Sequence, residues 1–526
     1  MAPSRSNMGP TVADCCTIGA PARDTRQYTR YWALLAMSLV CWVLNEGFGY
    51  GSIGKMLSLI QSGIVFVLLS FRRMRMAFLC HMVFMLCALE FPRDLMSRPQ
   101  LYTYRTFEVG GVSLSTVVLI VLLTVMIMSS GFSAMRSRAV LFVVVPFFIS
   151  SLVGLVSILW GDGNWQFFAA DLQYYLILVA GSVTGSTLLS RNELMVHDLG
   201  EVLLSVLSAR MLVVFFGNVL GYRYGNYGGL GIFSFDALDF LYPTLFAAFL
   251  TSWSRMQRVV LGLSAVLGVV NNTLFQASGK GLLFLPVTAL LLGVSALKRP
   301  SKSLFLLMSI TVVLFVVILN PTTNWRDYAV LRSVKLREVF SLLTLRSLTG
   351  LSETATSASV RVYESLNIAD SYVRQPLYIP LGRGLGGFFS DTRLPISWAD
   401  TSAYSQAELD TRRFYAVHDS VNNVLLKFGA SGLLAWALEL LLQVMSLAHD
   451  HDGDLATLRF AFILCWGFFI GYSLKIAFII GILFVAVQRA VRRDSGRANV
   501  VGPNRKRRIQ GDTQKGMLSF VYTSSR

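Results

Sequence analysis

Three side chains from separate stretches of the chain have the types needed to couple a proton transfer to the stabilisation of an anion: Lys280, Arg361 and His418. An imidazole, with an unperturbed pKa near ~6.5, can accept a proton from a hydroxyl at neutral pH. Guanidinium and ammonium groups stabilise negative charge on a departing group, Arg through paired hydrogen bonds and Lys as a point charge. His418 opens a stretch that ends in Gly429-Ala430-Ser431-Gly432, starting where a long polar segment stops and finishing inside an apolar run that continues through Leu433, Leu434, Trp436, Leu438 and Leu441. A titratable ring is thereby placed at a membrane surface. A lone His at a helix start also commonly serves as a structural hydrogen-bond partner, and loop arginines commonly form ion pairs. Residue types alone leave these readings open.

The elements that must position these residues are membrane helices. The chain has 526 residues, of which 54% are hydrophobic and 14% charged, with a mean hydropathy of +0.58. Soluble domains carry nearer ~25% charge. Long apolar runs recur along the chain, and in lipid each must close its own backbone hydrogen bonds. The expected fold is therefore all-α, a polytopic transmembrane bundle of about 12 to 14 spans with one long periplasmic loop containing short amphipathic helices.

The net charge of +17 follows membrane topology rather than nucleic-acid binding, because Lys and Arg fall in short connections and in the C-terminal tail, as the positive-inside rule requires. The run Asn504-Arg505-Lys506-Arg507-Arg508 reads as a solvated cytoplasmic tail within reach of anionic lipid. None of the six cysteines (Cys15, Cys16, Cys41, Cys80, Cys87, Cys465) lies in the long polar segment, so no disulfide framework is implied there. The first apolar run follows a polar, Arg-bearing segment and is expected to be a retained signal-anchor.

Counting spans and charges divides the chain into a cytoplasmic tail at 1–30, a bundle of about eleven spans at 31–319, a large periplasmic loop at 320–417, C-terminal spans at 418–489 and a basic cytoplasmic tail at 490–526. Within the loop, 325–348 reads as an amphipathic helix on the lipid surface and 354–371 as a more polar helix carrying Arg361. A single span is expected over 236–253, and over 458–488 either two short spans or one long span with a re-entrant piece. Arg210 falls in the middle of a span near 199–221, where a buried charge costs several kcal/mol without a partner. It is a functional candidate or, alternatively, half of an internal ion pair with Asp171 or Asp239. The run His449-Asp450-His451-Asp452-Gly453-Asp454 has the residue types of a metal cluster or a metal-dependent Asp-x-Asp element, but is read as a solvated turn on the cytoplasmic side.

Four segments in order resemble the bacterial O-antigen ligase and polymerase family. His418 with Gly429 and Gly432 is similar to the family's catalytic loop-to-helix motif, and Gly382-Arg383-Gly384-Leu385-Gly386 to the glycine turn before it. Ser359-Val360-Arg361 is similar to the small residue and Arg that open a loop helix, and Gly279-Lys280-Gly281 to the Ser-Arg-Gly that opens a span before the large loop. The chain departs from that pattern at Asp419, where the family has Asn, Ser or Gln, at Lys280 in place of Arg, and at Ser365 in place of an aromatic.

The resemblance implies a glycosyltransferase of the bacterial inner membrane, multi-pass with both termini cytoplasmic. It would transfer a glycan from an undecaprenyl-diphosphate-linked donor to an acceptor hydroxyl at the periplasmic face. His418 would activate the acceptor, Arg361 and Lys280 would bind the diphosphate, and Asp419, Arg383 and Arg210 are further substrate-binding or orienting candidates. No metal or other cofactor is implied. Expected partners are the lipid-linked glycan, the bilayer, and a chain-length regulator or flippase of the same pathway. A polymerase of surface or exopolysaccharide repeat units is preferred to an O-antigen ligase acting on a lipid A core. The alternative from another class is a lipid-linked glycan flippase or transporter, against which stands the lack of a clear internal repeat.

Overall fold

A computed structural model describes residues 25–48, 51–88, 90–92, 102–104, 108–109, 112–130, 137–191, 194–220, 226–227, 230–231, 236–249, 255–272, 287–288, 290–291, 357–396, 404–415, 417–450, 452–471 and 473–500. The apolar runs form helices. In chain order these are α1 (Thr25–Phe48), α2 (Gly51–Ser70), α3 (Met74–Cys87), α4 (Leu114–Ser130), α5 (Arg138–Leu159), α6 (Trp165–Ser190), α7 (Val196–Val219), α8 (Pro243–Phe249) and α9 (Arg255–Val270). After the long polar segment begins, α10 (Ser357–Arg374), α11 (Tyr378–Leu381) and α12 (Gln406–Thr411) precede α13 (Ser420–Leu447), α14 (Gly453–Phe468) and α15 (Leu474–Val500). Among the described residues, five helices are long and apolar enough to cross a membrane: Ile53–Ser70 within α2, and α5, α6, α7 and α13.

Strands occur only as short antiparallel pairs among the described residues: β1 (Glu90–Pro92) with β2 (Tyr102–Tyr104), β3 (Glu108–Val109) with β4 (Val112–Ser113), β5 (Asn226–Tyr227) with β6 (Leu230–Gly231), and β7 (Phe389–Ser390) with β8 (Arg413–Phe414). The last pair matters for the site. It sets Phe389 opposite Phe414 and so returns the chain towards His418.

The bundle is built around α6, α7, α14 and α15, whose side chains dominate the large buried cluster. α6 and α15 pack along each other, and a Cβ at Gly481 would meet the Leu178 carbonyl, so this contact depends on the absence of a side chain. By contrast, α2, α5 and α13 expose much of their apolar surface, as at Phe148 and Leu434. In water such faces would be a liability. In lipid they are the expected outer surface.

The stretch 458–488 forms two helices, α14 and α15, which separate after Phe468; neither is among the five helices long and apolar enough to cross a membrane. Of the single span read over 236–253, the described residues form a 3-10 turn, Ala237–Leu241, running into α8, and 250–253 lie outside the described residues. Asp236 caps that turn, accepting from the Leu238 amide at 2.9 Å, and Pro243 starts a new helix. Most of the expected spans over 273–319, the lipid-surface helix at 325–348 and most of both tails lie outside the described residues.

α13 and α14 run in opposite directions, which gives the bundle two distinct ends. At one end the start of α14 meets the start of α7 through Asp454 and His197. Arg30 and Arg75 lie at that end too, on Asp198 at 2.6 and 2.7 Å. At the other end the close of α14 meets the start of α13, where the Ile470 amide donates to Ser420 Oγ at 2.9 Å. His418 belongs to this second end.

Candidate functional site

The segment before α13 has an apolar core of its own, formed by Val360, Ile368, Tyr372, Phe389, Ile396, Tyr404, Phe414 and Leu426. This small core fixes α10 and α12 against the first turns of α13. α12 begins with the sequence Ser405-Gln406-Ala407-Glu408, a capping box in which the Ser405 amide donates to Glu408 Oε2 at 2.9 Å. Glu408 Oε1 then accepts from the Tyr415 amide at 2.8 Å, folding β8 back over the helix. Tyr404 is held at the edge of this arrangement and its ring meets the His418 ring edge-on, 5.0 Å between centres.

His418 lies against a glutamate that the sequence reading did not single out. His418 Nδ1 is 2.6 Å from Glu364 Oε1, and the His418 amide donates to Glu364 Oε2 at 3.2 Å. Tyr404 Oη donates to Glu364 Oε1 at 2.7 Å, and Asn422 Nδ2 to Glu364 Oε2 at 3.3 Å. The Glu364 side chain is fully buried while the imidazole remains 28% exposed. Burial alone would push the Glu364 carboxyl up. The adjoining His418 ring, with the hydrogen bonds from His418 and Tyr404, holds it below the ordinary carboxylate value instead. Burial and the Glu364 charge push the Tyr404 hydroxyl well up, so it remains a donor.

A carboxylate only accepts hydrogen bonds, so the proton between the two groups sits on His418 Nδ1. The Nε2 atom is thus the one available to a substrate, with no protein partner among the described residues. Glu364 fixes tautomer and ring orientation, the task a second carboxylate performs for many catalytic imidazoles.

Arg361 is one helical turn before Glu364 on α10, hence on the same face, and is half-buried. Its carbonyl accepts from Asn422 Nδ2 at 3.0 Å and from Ser365 Oγ at 2.9 Å. Ser365 Oγ also lies 2.7 Å from Asn422 Oδ1. Asn422, fully buried, therefore joins the Arg361 turn to the His418 turn. Asp419 is the helix cap of α13: its Oδ1 accepts from the Asn422 amide at 2.7 Å and its Oδ2 from Asn422 Nδ2 at 3.1 Å. The carboxylate that orients the imidazole is Glu364, and Asp419 orients the helix start.

The glycine turn lies beneath this assembly. Gly429 has φ +68° in the middle of α13 and breaks its regular helix, and Gly382 (φ +72°) packs directly on it; a Cβ on either would meet the other's backbone. The carbonyls freed by the break are all used: Leu425 by Tyr372 Oη at 2.5 Å, Leu426 by the Arg383 amide at 2.8 Å, and Lys427 by Ser150 Oγ at 2.9 Å. Lys427, almost wholly buried, places Nζ 2.6 Å from Asp171 Oδ2 and donates to the Gly387 carbonyl at 3.1 Å. Asp171 Oδ2 in turn accepts from the Gly386 amide at 2.7 Å. The turn is thereby fastened to α6 and α13 together.

The other sequence candidates go to different places. Arg210 is fully buried between Asp239, at 2.6 Å, and Glu46, with its guanidinium 4.5 Å from the Trp42 ring. Of the two ion pairs expected for it, the Asp239 pair is present. Arg383 leaves the glycine turn towards Tyr378 and Phe388, away from Glu364. Lys280 lies outside the described residues.

The acidic run after α13 is used structurally. Asp450 pairs with Arg459 at 2.6 Å, Asp452 caps α14, and Asp454 meets His197 Nδ1 at 2.8 Å. Among the described residues no group of His, Cys, Asp or Glu is arranged to hold a metal ion. No family model, no curated protein and no solved structure matches this chain.

Proposed function

We propose that the protein is a membrane glycosyltransferase that moves a glycan from a polyprenyl-diphosphate-linked donor to an acceptor hydroxyl at the external membrane face. The observation that carries this reading is the His418–Glu364 pair at the head of α13: one ring nitrogen fixed on a buried carboxylate, the other open, on a partly exposed ring. His418 Nε2 takes the acceptor proton as the new glycosidic bond forms, and the donor leaves as polyprenyl diphosphate. Glu364 stabilises the resulting imidazolium. Arg361, on the Glu364 face of α10, stabilises the charge on the departing diphosphate, with Lys280 assigned the same role from sequence alone.

A polymerase of surface or exopolysaccharide repeats is the preferred form of this activity, with transfer to a lipid A core as the second form. Residues that read the acceptor are not distinguished by this chemistry, which is the same in both. The transporter alternative leaves the fixed tautomer without a purpose.

The test is the surface-polysaccharide ladder of cells lacking the protein, complemented with the parent or with His418→Ala. Single units on the core without long glycan identify a polymerase that depends on His418. A core without any glycan, with polymer remaining on its lipid carrier, identifies a ligase. A ladder unchanged by His418→Ala removes the catalytic role.

A further inference from the structure

Arginines of the segment before α13 mostly have carboxylate partners. Arg374 pairs with Asp370 at 2.8 Å, Arg393 with Asp370 at 3.5 Å and Arg412 with Asp391 at 3.0 Å. Arg383 and Arg413 depart from this, having no ion pair among the described residues, and they share one aromatic ring. The Arg383 guanidinium lies 5.2 Å from the centre of Phe388 and that of Arg413 lies 4.8 Å from it. Arg383 donates to Gln375 Oε1 at 2.8 Å, while its Nε is buried with no acceptor. Asp162 acts on it only through space, and burial, with a smaller contribution from the Arg413 charge, pulls its guanidinium below the ordinary range.

Arg413 also hydrogen-bonds Tyr415, and two like charges converging on one ring, with the buried Arg383 Nε unpaired among the described residues, have the chemistry to take an anion. Its surroundings indicate where the anion comes from. Val373 and Leu377, on the approach to α11, are 75% and 86% exposed, and Trp160 and Trp165 flank Asp162 at 79% and 57%. Apolar side chains and tryptophans so exposed beside basic groups belong at the depth of lipid headgroups.

We propose that Arg383 and Arg413 form a binding site for a lipid-borne phosphate, separate from His418 and at the membrane surface. Two sources supply this chemistry, a phospholipid headgroup and a polyprenyl diphosphate. The aromatic ring lends both guanidiniums a fixed plane, which suits the bidentate hydrogen bonds that Arg makes to phosphate oxygens. The proposal rests on the external placement of this segment and not on transfer chemistry, because binding is measured without turnover.

The experiment is native mass spectrometry of the full-length protein in detergent, titrated with phosphatidylglycerol, with a short polyprenyl diphosphate and with diacylglycerol, which has no phosphate. The parent is expected to retain one or both phosphate lipids in preference to diacylglycerol. Arg383→Gln with Arg413→Gln is expected to weaken that retention by about tenfold or more, with Arg393→Gln unchanged. Weakening confined to phosphatidylglycerol identifies the bilayer as the source, and weakening confined to the diphosphate identifies the carrier. Arg413→Glu, at an exposed position that folding tolerates, gives the same loss if the buried Arg383 change impairs folding. Equal retention of diacylglycerol, or unchanged retention by Arg413→Glu and by the folded double variant, overturns the assignment.

Discussion

His197 and His418 each sit against a buried glutamate, yet the two rings are held differently. At the α7 end of the bundle, His197 Nδ1 is 2.8 Å from Asp454 and Nε2 is 2.8 Å from Glu201, so both nitrogens meet carboxylates and the ring joins α7 to α14. At the α13 end, His418 meets a carboxylate through Nδ1 alone. An imidazole facing a carboxylate at each nitrogen is suited to fastening elements together. One held on a single side keeps a nitrogen for a proton that is not its own. Under the proposed function, occupancy of the ring is what separates a structural histidine from a reactive one, since burial of the partner carboxylate is the same in both.

The largest effect expected from this contrast is on transfer itself. His418→Ala is expected to lower it by at least about a hundredfold, the scale of a lost general base, and His197→Ala to leave it near the parent value at equal protein level; a transfer assay on membranes of each variant checks this. Next is Lys427→Met, which strands Asp171 beneath the glycine turn. Losing one partner of a largely buried pair is expected to cost roughly 3 kcal/mol, read as a lowered Tm of the purified protein.

Gly429→Ala is expected to cost about 1 to 3 kcal/mol, since its φ of +68° and its contact with Gly382 both exclude a Cβ. The same thermal melts measure it. Transfer by this variant falls as well, because the turn that positions the head of α13 moves.

Glu364→Gln sharpens the comparison further. It keeps the shape beside His418 but removes the charge that stabilises the imidazolium, and about a tenfold loss of transfer is expected. Its stability carries a pH signature. The folded Glu364 carboxyl lies below its unfolded value, so its contribution is complete above the ordinary carboxylate range and is lost as pH falls through the lower folded value. The Tm gap between parent and Glu364→Gln is therefore widest at neutral pH and narrows in acid. The smallest effect is expected for His197→Ala on stability, about 1 kcal/mol, measured in the same melts.

Apolar helices were legible in the sequence because apolar length acts locally, and among the described residues five are long and apolar enough to span a membrane. Over 236–253 that reading joined two short elements into one, since the cap at Asp236 and the start at Pro243 interrupt an apolar run without changing its hydropathy. In the site, His418 and the Arg361 helix could be picked out by type and spacing. Glu364 could not, although it follows Arg361 by one turn. Its partner lies 54 residues away, and only the small core around Tyr404 and Phe414 brings the two together. Asn422 had a faint signal, four residues after His418 in the first turn of α13, but its role depends on the carbonyl of Arg361. Asp419 was the conspicuous acidic neighbour of His418, and its carboxylate is taken by the helix cap.

The most direct measurement is the surface-polysaccharide ladder of one deletion strain carrying, at matched membrane levels, the parent, His418→Ala or His197→Ala. The account predicts that the parent and His197→Ala restore the same ladder and that His418→Ala restores none of the transferred glycan. A full ladder from His418→Ala, or its loss from His197→Ala alone, would contradict it.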